Sequence, residues 1–102
     1  MQFDWDVANT NHLATHNVSP EEAEQVIENN PLDLPARVVD GEERILHLGE
    51  TAAGRILFVV ATERDGLIRV VTAYPAKRSM RKFYAAQVAQ KDIDNGTAPK
   101  DP

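Results

Sequence analysis

Cysteine is missing from all 102 residues. That excludes a disulfide framework, a thiolate nucleophile and any sulfur-based metal site, and it fits a reducing compartment. Long apolar runs are missing too. The longest central one, residues 56–61, falls far short of the ~20 residues that cross a bilayer, and the polar start of the chain lacks the apolar segment of a secretory leader. A cytoplasmic protein without membrane contact is therefore expected. No internal repeat and no linker-like stretch interrupts the chain, so its length predicts one domain over residues 1–90, with a disordered tail over 91–102.

Positive charge is scarce in the first half. Residues 1–50 carry 11 acidic and 2 basic side chains, whereas residues 51–102 carry 5 acidic and 9 basic ones. The net charge of −5 argues against indiscriminate binding of nucleic acid. Arg55, Arg64, Arg69, Lys77, Arg78, Arg81 and Lys82 nevertheless supply the makings of a local positive face. The plainer reading of the same residues is a solvated helix and strand edge.

What is present first is a helix–corner–helix. Asp6 is a good N-cap, so a helix is expected from Val7 to His16, followed by Asn17 in the left-handed conformation and Val18 folding back on Leu13. Ser19-Pro20-Glu21-Glu22 then has the form of a capping box with proline in the first turn, Val18 and Ala23 standing at the staple positions. Asn29-Asn30-Pro31 ends this second helix. Residues 31–42 read as a connector, with at most a brief strand at 36–39 before an Asp40-Gly41 turn. Residues 44–48 read as a strand, and residues 56–61 as a central strand apolar on both faces. Asp65-Gly66 joins that strand to residues 67–74 by a tight hairpin whose register would set Thr62 opposite Arg69, Ala61 opposite Val70 and Leu57 opposite Tyr74. Ser79 is expected to cap a last helix reaching about Gln90. The fold class is α+β: two N-terminal helices and one C-terminal helix on a three- to four-stranded antiparallel sheet, with residues 3–5 as an added edge.

Taken together, Phe3-x-Trp5-Asp6, Asn9, His12, His16, Val18-Ser19-Pro20-Glu21-Glu22-Ala23, Gly41-Glu42-Glu43-Arg44, Leu48-Gly49, Gly54-Arg55, Thr62-Glu63-Arg64 and the run from Ala73 to Tyr84 resemble the BrnT-type toxin family. The resemblance spans roughly residues 2–86. It implies a RelE-like fold and a toxin of a type II toxin–antitoxin pair, neutralised by a cognate antitoxin that is also the DNA-binding component. The implied activity is that of a metal-independent endoribonuclease acting on RNA without a cofactor.

Such chemistry needs a base for the substrate 2′-hydroxyl, cations for the phosphorane and a proton for the leaving oxygen. His16 is the candidate base, Arg69 and Arg78 the candidate phosphate clamps, Lys77 a further charge, and Tyr74 a proton donor or stacking ring. Arg55, Arg64, Arg81 and Lys82 are candidates for contact with the nucleic acid. Each has a structural rival. His16 ends a helix where a cation suits the dipole, Tyr74 and Trp5 suit a core boundary, and Arg44 or Arg64 suits a pair with Glu43 or Glu63. His12 and His16 have the spacing of two metal ligands but no third ligand at a supporting interval, so no metal site is expected. A protein-binding module of the same fold without catalysis stays open as the alternative. Direct DNA binding through the helix corner is not expected, because Glu21, Glu22, Glu24 and Glu28 give the second helix the wrong sign.

Overall fold

The computed structural model describes residues 1–94, and its first helix follows from one reciprocal cap. Asp6 Oδ1 accepts from the Asn9 amide at 3.1 Å while Asn9 Oδ1 accepts from the Asp6 amide at 2.8 Å. Helix α1, Val7–Ala14, starts there. Its end follows from Asn17, whose φ of 61° lets the Val18 amide reach back to the Leu13 carbonyl at 3.1 Å and the Asn17 amide to Ala14 at 3.0 Å. The regular helix is thus two residues shorter than the sequence predicts, with Thr15 and His16 in the closing turn. Helix α2, Pro20–Glu28, opens on a second box: Ser19 Oγ accepts from the Glu22 amide at 3.1 Å, and Glu22 Oε1 accepts from the Ser19 amide at 3.0 Å.

Four strands follow, β1 Leu32–Val39, β2 Glu42–Glu50, β3 Ile56–Arg64 and β4 Leu67–Pro75, paired antiparallel in that order. Two tight turns join them in pairs. Asp40-Gly41 and Asp65-Gly66 both have positive φ at each central residue, which matches the twist of a two-residue hairpin.

The first correction to the sequence reading is β1, a full strand rather than a connector. Pro35 speaks against a strand in the abstract, but β1 is an edge, and Pro35 with Ala36 stands against the single residue Ile45 where the register shifts. A bulge on an edge tolerates the missing amide. The second correction is the β3–β4 register. Thr62 faces Arg69 and Ala61 faces Val70 as expected, but an extra residue at Val71 sets Thr72 opposite Val60 and Tyr74 opposite Phe58 rather than Leu57. Because side chains alternate, that single insertion carries Tyr74 to the other face of the sheet.

The core lies in two layers. On one face, Leu13, Val18, Ala23, Val26 and Ile27 of the helix corner pack on Leu57, Val59, Ala61, Val70 and Ala73. Gly49 lets α2 lie close to β2, since a Cβ there would meet Pro31 Cβ at 3.0 Å and Val26 Cγ1 at 3.1 Å. The opposite face is covered by α3, Arg78–Asp94, through Met80, Tyr84 and Val88 resting near Leu32, Leu48, Ile56 and Phe58. These three positions are four apart and form one helical stripe.

Helix α3 starts earlier than its expected Ser79 cap. The Lys77 carbonyl already accepts from the Arg81 amide at 2.9 Å, leaving Ser79 inside the first turn. It also continues through Asp94, so residues 91–94, expected in the tail, are helical, while the rest of that expected tail lies outside the described residues. The expected edge at residues 3–5 is a single parallel bridge, Phe3 to Ile68. It is held by the Asp4 amide on Ile68 O at 2.8 Å and the Ile68 amide on Gln2 O at 2.9 Å.

Candidate functional site

The free edge of β4 is where α1 is pinned. Asn9, 4% exposed, donates through Nδ2 to Val70 O at 3.1 Å and to Asp4 O at 3.0 Å. With Leu13 buried below, the helix turns the i, i+4 pair His12 and His16 along the strand edge. His12 Nε2 lies 3.0 Å from Thr72 Oγ1. The His12 and His16 rings meet edge-on at 5.4 Å, the His16 ring lies 5.9 Å from that of Tyr74, and Tyr74 stacks on Phe58 at 5.4 Å. Two imidazoles, a phenol and a hydroxyl thus form one row, and both imidazoles are exposed.

At the far end of that row stands positive charge. The corner after His16 is tied to the β2–β3 loop by Arg55 Nη1, which donates to Asn17 O at 3.0 Å and to Glu22 Oε2 at 2.7 Å. The next residue, Ile56, accepts from the Ala76 amide at 3.0 Å, so the turn from β4 into α3 lies at the same end of the sheet. Lys77, Arg78, Arg81 and Lys82 follow in sequence, all exposed, the first just before α3 and the others on its first turns, where the helix dipole is positive. Arg81 Nη1 donates to Ala76 O at 2.7 Å. Among the described residues Lys77, Arg78 and Lys82 have no ion-pair partner.

The structure sets His16 beside Tyr74 and places Lys77, Arg78, Arg81 and Lys82 past the same end of β4, and it sets three other candidates apart. Arg55 belongs to the same end but is held by Glu22. Arg64 sits near the Asp65-Gly66 hairpin and is paired with Glu42 at 2.7 Å, as Arg44 is at 3.7 Å, so the carboxylate of the structural alternative is Glu42 and not Glu43 or Glu63. Arg69 shares the face of Tyr74, but Thr62 and Phe58, their partners on β3, are four residues apart, so the two lie about 13 Å apart along the strand. Its Nη1 meets Asp4 at 3.4 Å and Asp6 at 3.0 Å. His12 and Thr72 were not among the candidates. The four-residue spacing of His12 from His16 was the signal for the first; Thr72 has none, because its face depends on the bulge.

These pairs contribute to the acid response of the fold. The Arg69 guanidinium, hydrogen-bonded to Asp6, holds that carboxyl below its ordinary value of 3.8, and Arg64 does the same to Glu42. Burial raises the Glu22 carboxyl, but the hydrogen bond from Arg55 and those at the cap outweigh it, so its net shift is downward. A carboxyl depressed on folding stabilises the protein above its unfolded pKa and loses that contribution as pH falls through the folded one. The gap in urea midpoint between the protein and Arg69→Gln is accordingly expected at pH 7 and expected to shrink below about pH 4. A gap that stayed constant to pH 3 would remove Asp6 from this account.

Among the described residues no three histidine, aspartate or glutamate side chains gather as metal ligands, and no helix is long and apolar enough to cross a membrane. Fold and site together define a small α+β protein with two imidazoles and a phenol along one exposed strand edge and free cations past the end of that strand. A family model described as the ribonuclease toxin BrnT of type II toxin–antitoxin systems matches residues 5–79, and the chain belongs to that family. No curated protein matches the chain. The matched span holds His12, His16, Thr72, Tyr74, Lys77 and Arg78 and stops short of Arg81 and Lys82.

Proposed function

We propose that the protein is a metal-independent endoribonuclease of the cytoplasm, held in check by a cognate antitoxin, and that RNA is cut along the row of His12, His16 and Tyr74. The observation that carries this reading is the junction of that row with the unpaired cations Lys77 and Arg78 at one end of the sheet. In the proposed reaction His16 takes the proton of the 2′-hydroxyl, whose oxygen bonds to phosphorus. Lys77 and Arg78 balance the charge on the non-bridging oxygens of the phosphorane. The bond from phosphorus to the 5′-oxygen then breaks, and that oxygen takes a proton from Tyr74. The products are a 2′,3′-cyclic phosphate and a free 5′-hydroxyl. Transfer of the proton held by His16 back to Tyr74 through water restores both groups. His12, fixed against Thr72, keeps the His16 ring facing the strand.

Arg81 and Lys82 extend the contact with the RNA backbone along α3. Arg55, Arg64 and Arg69 act instead through their carboxylate partners, fixing the corner, the hairpin and the start of α1. The acidic second helix keeps DNA away, in line with a toxin that leaves DNA binding to its partner.

The test is cleavage of a defined single-stranded RNA by purified protein in excess chelator. Activity is expected to persist. The double variant Lys77→Ala/Arg78→Ala is expected to lower kcat, to raise KM and to flatten the dependence of log(kcat/KM) on log[salt] by about 1.4, near 0.7 for each lost phosphate contact. Activity abolished by chelator and restored by a divalent cation would overturn metal independence. Failure to cleave any RNA, with antitoxin still bound, would favour a binding module without catalysis.

A further inference from the structure

The helix corner covers only part of its sheet face. Beyond it, on the side of the two hairpin turns, lies an open groove of about 720 Å³. Its floor is apolar, built from Ile27, Ile45, Ala61 and Ile68, and Ile45 is 36% exposed. Val38, exposed and opposite Glu43 on the neighbouring strand, extends the apolar surface past the rim.

The rim is mostly acidic, with Met1, the first residue of the chain, also lining it. Asp40, Glu43 and Glu63 border the groove and have no ion-pair partner among the described residues. Continuing the Ile45–Ala61 register by two residues sets Glu43 beside Glu63, a like-charge neighbour pair that costs stability unless a cation comes between. Two further rim carboxylates, Asp33 and Glu42, are engaged by His47 at 2.6 Å and by Arg64. An apolar floor under uncompensated carboxylates repels a nucleic acid and fits an amphipathic polypeptide with lysine or arginine flanking its apolar side chains.

We propose that this groove docks a cationic amphipathic segment of a protein partner, which, on the reading above, is the antitoxin. The groove faces away from the α3-covered side and sits at the hairpin end, whereas the His16 row ends at the opposite end of β4. Docking and cleavage therefore separate by mutation.

The probe is a synthetic 15-residue peptide of leucine and lysine in helical register, titrated by fluorescence anisotropy. Three proteins are compared: the unaltered chain, Glu43→Lys/Glu63→Lys, and Glu21→Lys/Glu28→Lys, which makes the same change of net charge on exposed positions of α2. The groove variant is expected to bind about ten-fold more weakly, the α2 variant within about two-fold of the unaltered chain. Ile45→Ser is expected to weaken binding several-fold without any change of charge. All are expected to cleave RNA at the unaltered rate. Equal weakening by both charge variants, or no binding by the unaltered chain, overturns the proposal. Co-expression with the antitoxin separates the two readings. Retention of antitoxin by the unaltered chain and loss by Glu43→Lys/Glu63→Lys supports both. Equal retention by the two overturns the groove alone, and peptide binding without antitoxin retention overturns the antitoxin reading alone.

Discussion

His16→Ala is expected to lower kcat for RNA cleavage by about 10²- to 10⁴-fold, the usual contribution of a positioned acid or base. The ring is exposed at the end of α1 and lies 5.9 Å from that of Tyr74, so its removal leaves no cavity and takes little from the fold. A change in stability within about 0.5 kcal/mol is expected, as for other surface positions. The combination separates chemistry from folding. Loss of rate with an unchanged melting curve and unchanged RNA affinity supports His16 as the base. His12→Ala is expected to fall between the unaltered protein and His16→Ala, because it removes the neighbour that meets Thr72 but not the acceptor itself. Single-turnover cleavage of His16→Ala within a few-fold of the unaltered rate would take this histidine out of the mechanism.

Asn9→Ala is expected to be the most damaging single change of a polar residue. Its amide joins three backbone groups from two distant parts of the chain: the Asp6 amide and the Asp4 carbonyl just before α1, and the Val70 carbonyl on β4. Alanine at this 4%-exposed position would leave buried groups without partners, at about 1–3 kcal/mol for each that water cannot reach. A total near 3 kcal/mol would lower the melting temperature by roughly 10–20 °C in a domain of this size. Asn9→Asp keeps the acceptor for Asp6 and loses both donors, so it is expected to recover only part. The consequence reaches the site. With α1 no longer fastened to β4, His12 and His16 lose their fixed offset from Thr72 and Tyr74, and cleavage should fall even where the protein remains folded. A melting temperature within about 3 °C of the unaltered value would show that water replaces the lost bonds.

The two changes bear on how much of the molecule is legible in its sequence. Both caps of the helix corner rest on contacts within four residues, and the Asn17 turn closes over six. Stereochemistry of the local chain decides them, and they appear as expected. The hairpins at Asp40-Gly41 and Asp65-Gly66 are local in the same sense. The fold class followed once those signals and the apolar run of β3 were put together.

The site was less legible. Arg69 and Arg78 looked equivalent as guanidinium groups for phosphate, yet Arg69 is claimed by Asp4 and Asp6, residues more than sixty positions away. Pairing over that distance leaves no trace in spacing. His12 carried its signal in the four-residue interval, whereas Thr72 and Phe58 gained their neighbours from a register that no turn residue announces.

By itself the sequence determined the helix corner with its two N-terminal caps, the two hairpin turns and the central strand, because caps, positive-φ turns and apolar alternation act over a few residues; the ends of α1 and α3 and the extent of β1 were not so determined. Tertiary structure alone decided which face Tyr74 occupies, since the extra residue at Val71 reverses the alternation expected from the turn. It also decided which cations are free, because an arginine's charge is available only when folding has brought no carboxylate to it. That is why the phenol lies beside His16 and the open charge lies at Lys77 and Arg78 instead of along β4.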